Sequence, residues 1–284
     1  ALRTRGYAGG PRPAARPGQG IPTVSAGFAL VLVAAAAVVA WILVEPFLRA
    51  RRRARQRART LDEADRMFLR RRVPVFVRMP KPLQERLEGL TLVFLAEKEF
   101  IGCQGITVTP HMKLAIAAQA CLLVLGRDEH VYDAMRSILV YPGQFVVPGE
   151  WHDENGVVTE EERVLAGEAW DVSRIILSWE DVKASGRGPD AYNVVIHEFA
   201  HYLDHEAGAF EQAGVLASEL ESLRAAVDQD EDTLLDPYAA EDEAEFFAVT
   251  SEVFFEQPGQ LQRCHPRIYD ALAGFYRLDP AAWS

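Results

Sequence analysis

Cysteine is nearly absent from this chain: Cys103, Cys121 and Cys264 are odd in number and far apart. A disulfide framework needs paired cysteines, usually in a small secreted domain, so none is expected. No two of them form a C-x-x-C pair, which argues against a thiolate zinc site and leaves three buried or incidental thiols, as suits a reducing compartment. Basic charge is also scarce over most of the length. Residues 73–284 carry 15 Lys and Arg against 37 Asp and Glu, a net charge of −22. Such a domain repels nucleic acid, whose backbone demands cationic contacts, so no nucleic-acid partner is expected. Internal repeats and long low-complexity tracts are missing after residue 72. What remains is an ordinary globular mix, 49% hydrophobic and 25% charged, over 284 residues, enough for one large domain or two small ones.

The positive charge is gathered at the other end, where residues 1–72 hold 15 Lys and Arg against 4 Asp and Glu. Between them runs Ile21 to Val44, 24 residues without a charge. About 20 suffice to span the hydrocarbon core as a helix. Trp41 sits near one end, where an amphipathic ring favours the interface. Arg49, Arg51, Arg52, Arg53, Arg55, Arg57 and Arg59 follow at once, a heavier cationic flank than Arg3, Arg5, Arg12 and Arg16 before the span. The positive-inside bias then predicts an inner-membrane protein whose larger part faces the cytoplasm. A cleaved signal peptide has a shorter apolar region, about 7–15 residues, and would not lead into an arginine cluster. A buried core helix apolar all round would need protein on every side.

The division expected is a disordered tail over residues 1–20, a transmembrane helix over 21–48, an arginine-rich juxtamembrane segment over 49–72 and one soluble domain over 73–284. The spacing of Leu87, Leu90, Val93 and Phe94 predicts a helix over 83–100, and the Ala-rich stretch 112–125 predicts a buried one. Arg49 to Arg72 reads as a helix leaving the membrane, and Val73 to Pro82, rich in proline, as a linker or edge segment. Ile138–Tyr141 and Phe145–Val147 read as short strands about Pro142-Gly143, and Ile175–Trp179 as another, an interior strand by its apolar run or else an edge that pairs with an extended substrate. The domain is therefore expected to be α+β.

Chemistry is concentrated in NVVIHEFAHYLDHEAG, Asn193 to Gly208. Val194, Val195, Phe199 and Leu203 form one stripe of a helix and leave His197 and His201 on another, one turn apart. Two imidazoles so placed can reach one zinc ion, which makes a bound water acidic enough to attack an amide near neutral pH. Glu198 beside them is the candidate general base, and Gly208 is a candidate helix stop. The pattern His-Glu-x-x-His is short, and its bland alternative is a helix with two solvated histidines and a surface glutamate. A catalytic zinc ion usually takes three protein ligands. The metzincin pattern would put Gly at 204 and His at 207, where this chain has Asp204 and Ala207. His205 would lie a further turn along one straight helix and reads as a surface or substrate-side residue. The third ligand is better sought in Pro237 to Pro258, among Phe246, Phe247, Val249, Phe254 and Phe255. Glu245 is a carboxylate set among apolar residues, where one is rare unless paired or bound to metal. Glu252, one heptad on, competes with it, whereas Glu241 and Glu243 read as solvated.

The stretches EFIGCQGITVT, AAQACLLVL, ILVYPGQF, GEAWDVSRIILSW, NVVIHEFAHYLD and DPYAAEDEAEFFAVTSEVFF, in this order, resemble the bacterial Mlc titration factor A (MtfA) family. The resemblance implies a zinc peptidase, gluzincin-like and related in fold to the lethal-factor type, with one Zn2+ per chain and a peptide or protein substrate. In that family a glutamate follows a tyrosine by seven residues, which selects Glu245 as third ligand and Tyr238 as the hydroxyl near the zinc. It also implies a transcription-repressor partner. Two departures stand out: the apparent membrane anchor, and Tyr202 where a basic residue is common in the family.

Overall fold

The chain folds as two units, Ala1–Arg51 and Arg52–Ser284. The computed structural model describes residues 26–127, 129–143, 145–146, 151–152, 158–159, 164–165, 167–171, 173–186, 191–207 and 215–283. The expected tail over 1–20, Val147 at the end of a predicted strand, and Gly208 lie outside them. Helix α1, Ala26–Arg57, begins in the first unit and ends in the second. Within its segment Leu30–Arg57, a stretch of 18 residues has a mean hydropathy of 2.4 and no buried residue. This helix is long and apolar enough to be a membrane span or a signal sequence.

The second unit starts earlier than the composition suggests. Arg53 is buried, its guanidinium donating to Glu97 and Asp133 and lying 2.8 Å from His130 Nδ1. The arginine-rich run is broken after α1, and α2, Glu63–Arg72, restarts where the Asp62 carboxylate accepts from Asp65 N at 2.7 Å. Leu61 and Leu69 enter the core. Val73 to Pro82 is not a linker: Pro74 opens α3, Pro74–Arg78, and Pro82 lies in the first turn of α4, Lys81–Glu97. Proline fits there because the first helical N–H groups have no partner within the helix. Val73, Val75, Phe76 and Met79 of this segment are buried.

Helix α5, Pro110–Leu122, capped by Thr109, packs on α4 as the buried helix expected from its alanines. Strands β1, Glu99–Gly102, and β2, Ser137–Tyr141, run parallel, with α5 in the connection between them. Two short ribbons follow: β3, Phe145–Val146, pairs with β6, Val164–Leu165, and β4, Trp151–His152, pairs with β5, Val158–Thr159. Then β7, Gly167–Asp171, turns antiparallel onto β8, Arg174–Ser178. The sheet order is β1-β2-β8-β7, so β8 is paired on both sides and cannot offer an edge to a substrate. Its run Ile175-Ile176-Leu177 is apolar because both faces are covered. Trp179 leaves the strand to begin α6, Trp179–Ala184, under a Ser178 cap.

The remaining helices are α7, Val194–Ala207; α8, Leu216–Asp228; α9, Glu243–Glu256; α10, Pro258–Cys264; and α11, Pro266–Tyr276. The described part is thus mostly helical, with one small mixed sheet. Helices α7 and α9 pack together. Phe199 and Leu203 of α7 and Phe246, Phe247, Phe254 and Phe255 of α9 are all buried, Phe199 against Phe94 and Tyr132 and Phe254 and Phe255 against Tyr276.

A chain beginning at Val73 would lose Leu61 and Leu69 from the core and remove Arg53 from Glu97 and Asp133. Leu69→Ala alone should cost about 2–5 kcal/mol, because the side chain is fully buried. Thermal unfolding should stay cooperative for a chain from Arg52 and be lost, or fall by tens of degrees, for one from Val73. Equal melting of the two would restore the boundary at residue 73.

Candidate metal centre

Helix α7 starts where Asn193 supplies its cap. Asn193 Oδ1 accepts from Ile196 N at 3.2 Å, and Ser185 Oγ accepts from Val194 N at 3.0 Å. Val194, Val195, Ile196, Phe199, Ala200 and Leu203 are buried, which turns the other stripe of the helix, His197 and His201, toward α9. The two side chains are 14% and 19% exposed, so the pair borders solvent without standing in it. Helix α9 is started by Asp242, whose carboxylate accepts from Glu245 N at 2.9 Å and fixes Glu245 in the first turn.

Three donor atoms converge between these helices. His197 Nε2 and His201 Nε2 are 3.1 Å apart. Glu245 Oε2 is 3.1 Å from His197 Nε2, and Glu245 Oε1 is 3.5 Å from His201 Nε2. Ligands about 2.0–2.1 Å from a tetrahedral zinc would lie about 3.3–3.4 Å from one another, so this donor set fits the ion. A second observation agrees. Glu245 Oε2 is buried with only His197 Nε2 set against it at 3.1 Å, a costly state for a carboxylate oxygen unless a proton or a cation meets it. A single imidazole proton can satisfy one of the three contacts, whereas a cation among them satisfies all.

Electrostatics point the same way. Burial works against charge on His197, but the Glu245 and Glu252 carboxylates outweigh it and push its pKa well above the usual imidazole value. Burial would raise the Glu245 carboxyl, but the imidazoles of His197 and His201 override it and hold its pKa far below the usual range. The cluster is a pocket of negative potential that favours positive charge at its centre.

Glu252, the competing carboxylate, has a different place. It does not join the three donors but lies behind His197, where Nδ1–H donates to Glu252 Oε1 at 2.8 Å. The other oxygen, Oε2, accepts from the backbone N–H of Asn193. A proton held on Nδ1 by Glu252 leaves Nε2 as the nitrogen whose lone pair a metal ion would take in place of a second proton. Asn193 completes the brace, donating from Nδ2 to Gln119 Oε1 at 2.8 Å and to Glu256 Oε1 at 2.6 Å. The spacing of acids among phenylalanines marked Glu252 without its role. The signal for Asn193 was its place just before an apolar run, where a helix cap is expected.

Glu198 is buried next to His197 on α7, and its charge acts on that ring. Tyr238 lies in a 3-10 turn, Pro237–Ala240, just before α9, where Asp236 Oδ1 accepts from its N–H at 2.9 Å. Its ring stacks on His197 with centroids 6.3 Å apart and planes at 29°. Partial burial and the Glu245 carboxylate push the phenol far above its usual pKa, so the hydroxyl stays protonated. Glu241 and Glu243 are exposed, as expected. His205 is 68% exposed at the end of α7, 3.5 Å from Glu206, and takes no part in the cluster. Tyr202 is turned into the core, where its hydroxyl donates to Val131 O, so the departure at that position does not line the site.

Two histidines one turn apart, a glutamate between them in sequence and a carboxylate from a second helix define a candidate metal centre of the kind metallopeptidases carry. The comparison of the whole chain agrees. It belongs to the glucose-regulated metallo-peptidase M90 family, whose sequence model matches residues 48–277. It is 36% identical over 224 residues to the uncharacterized protein slr2042 of Synechocystis sp., covering 74% of this chain and 82% of that one. It is also 33% identical over 226 residues to Mlc titration factor A of Yersinia pestis and of Yersinia pseudotuberculosis, covering 74% of this chain and 83% of each. The family implies a metal, and the His-His-Glu cluster is a place that could hold it.

Metal analysis of purified variants separates holding from bracing. His201→Ala and Glu245→Ala should abolish stoichiometric metal, whereas Glu252→Gln and Asn193→Ala should retain it with affinity lowered about 10–100-fold. Full retention in Glu245→Ala with complete loss in Glu252→Gln would exchange the two roles.

Proposed function

We propose that this chain is a zinc-dependent peptidase of gluzincin type, held at the inner membrane by α1 with its peptidase domain in the cytoplasm. The observation that carries this reading is the convergence of His197, His201 and Glu245 beside the buried Glu198, in a metallopeptidase family. One zinc ion bound there would acidify an attacking water and polarise the scissile carbonyl. Glu198 takes the proton of the attacking water and passes it to the leaving amine, so that the C–N bond breaks to give a carboxylate and an amine. Tyr238, kept protonated, donates a hydrogen bond to the oxygen as negative charge develops on it. With β8 interior, an extended peptide is best received by β7, the antiparallel end strand that packs beside α7.

Membrane attachment is supported by the apolar stretch of α1, and the orientation by the arginines that follow it. The name carried by the Yersinia relatives points to a protein partner, and by resemblance that partner is a transcription repressor. The presence of Glu198 favours catalysis over simple sequestration, because binding alone does not require a base.

Glu198→Ala should abolish peptide cleavage while zinc content and melting temperature stay at wild-type values. Unchanged cleavage would remove the proposed mechanism. Tyr238→Phe should lower turnover about 10²–10³-fold with zinc content unaltered, the usual loss for one oxyanion donor. A wild-type rate would leave Tyr238 as a packing residue. Protease added outside intact cells should leave residues 73–284 uncut, and digestion from outside would reverse the orientation.

A further inference from the structure

Positive charge gathers at a second place in the Arg52–Ser284 unit, apart from the metal cluster. A cavity of about 730 Å3 is lined by Arg57, Arg86, Arg127, Arg277 and His130, with Glu85 as the one carboxylate among the described residues that border it. Glu85 is already within 3.8 Å of Lys81. His130 is committed to Arg53 and Asp133. Four arginines therefore border one cavity in a chain whose residues 73–284 are acidic overall.

Backbone features hold two of them together. A Cβ on Gly126 would lie 2.3 Å from Tyr276 O and 2.7 Å from Arg277 O, so only glycine lets the 126–127 turn press on the end of α11. Arg277 ends that helix in the left-handed region, φ 56°, a conformation that ordinarily selects glycine or asparagine. Arg127 lies over the Phe275 ring at 3.9 Å and donates to Phe275 O, which fixes its guanidinium. Arg86 reaches Arg127 O at 3.4 Å from α4. Burial depresses the Arg127 pKa, and the Arg277 charge depresses it further, so these cations repel each other as they stand.

We propose that this cavity binds a phosphate ester. Planar guanidinium forks match phosphate oxygens two at a time, and several forks around one group favour a multiply charged anion over a single carboxylate. The volume exceeds what a phosphate alone would fill, so it leaves room for the group it esterifies, with Leu90 on the cavity wall as apolar surface. The same headgroup chemistry is offered by an anionic phospholipid and by a soluble phosphorylated metabolite.

The test is equilibrium dialysis of the full chain in nonionic detergent against inorganic phosphate. One saturable site is expected, weakened about tenfold or more in Arg277→Gly and in Arg86→Gln, and weakened by salt. Glycine suits the backbone at 277, and Arg86 is exposed, so melting temperatures should be preserved; if one variant unfolds, the other decides. His201→Ala should bind phosphate as the wild type does, which separates the cavity from the metal cluster. Short-chain phosphatidic acid displacing phosphate at least tenfold better than glycerol phosphate assigns the site to lipid headgroups, and equal displacement assigns it to a soluble ester. No saturable binding, binding indifferent to both arginine variants, or binding lost in His201→Ala would overturn the proposal.

Discussion

The imidazole of His197 is gripped on both sides by carboxylates from a single helix, and most of the centre follows from that arrangement. Glu245 and Glu252 are one heptad apart, two turns and about 10 Å along α9, so they share a face. The ring inserts between them, with Nε2 toward Glu245 and Nδ1 toward Glu252. One helix thereby supplies both the atom that converges with the histidines and the atom that sets the tautomer. A slip of one residue in α9 turns its face by about 100° and removes both contacts together. The register is held by the buried Phe246, Phe247, Phe254 and Phe255, and Phe254 and Phe255 meet Tyr276 of α11 with ring centroids 5.5 and 5.0 Å away. The aromatic core does for α9 what the Asn193 cap does for α7: it fixes rotation.

The parts of this centre readable from the sequence are those with a local signal. His197, Glu198 and His201 sit in one helical pattern, and neither partner helix nor sheet is needed to place them on neighbouring faces. The third position was ambiguous for a physical reason: two acids seven residues apart have the same helical phase, and only the height of α9 against α7 tells them apart. The resemblance to a known family resolved it toward Glu245, which is the acid found beside both histidines. Strand β8 was legible as interior from its apolar run, and it is paired on both sides. Residues 52–72 belong to the second compact unit, although their arginines read as surface. Arg53 is buried only because Glu97 and Asp133, 44 and 80 residues away in sequence, come to meet it. The prolines of Val73 to Pro82 read as chain breaks but act as helix starts, a distinction made by the buried residues around them.

The polar groups behind His197 are an expensive way to hold two helices together. Asn193, Gln119 and Glu252 are each 4% exposed or less, in surroundings dominated by phenylalanine, valine and leucine. Each buried donor or acceptor left unmatched would cost about 1–3 kcal/mol, and apolar residues of similar volume would pack there with no such risk. The linked contacts remove the penalty only as a set: Gln119 accepts from Asn193, Asn193 donates to Glu252 and Glu256, and Glu252 accepts from His197. What the set gives beyond stability is direction, because every bond in it constrains the angle of one imidazole. A core selected for stability alone has no use for that constraint. A site that must keep one nitrogen unprotonated and aimed at two other donors does, and the converging atoms of His197, His201 and Glu245 lie where those bonds point.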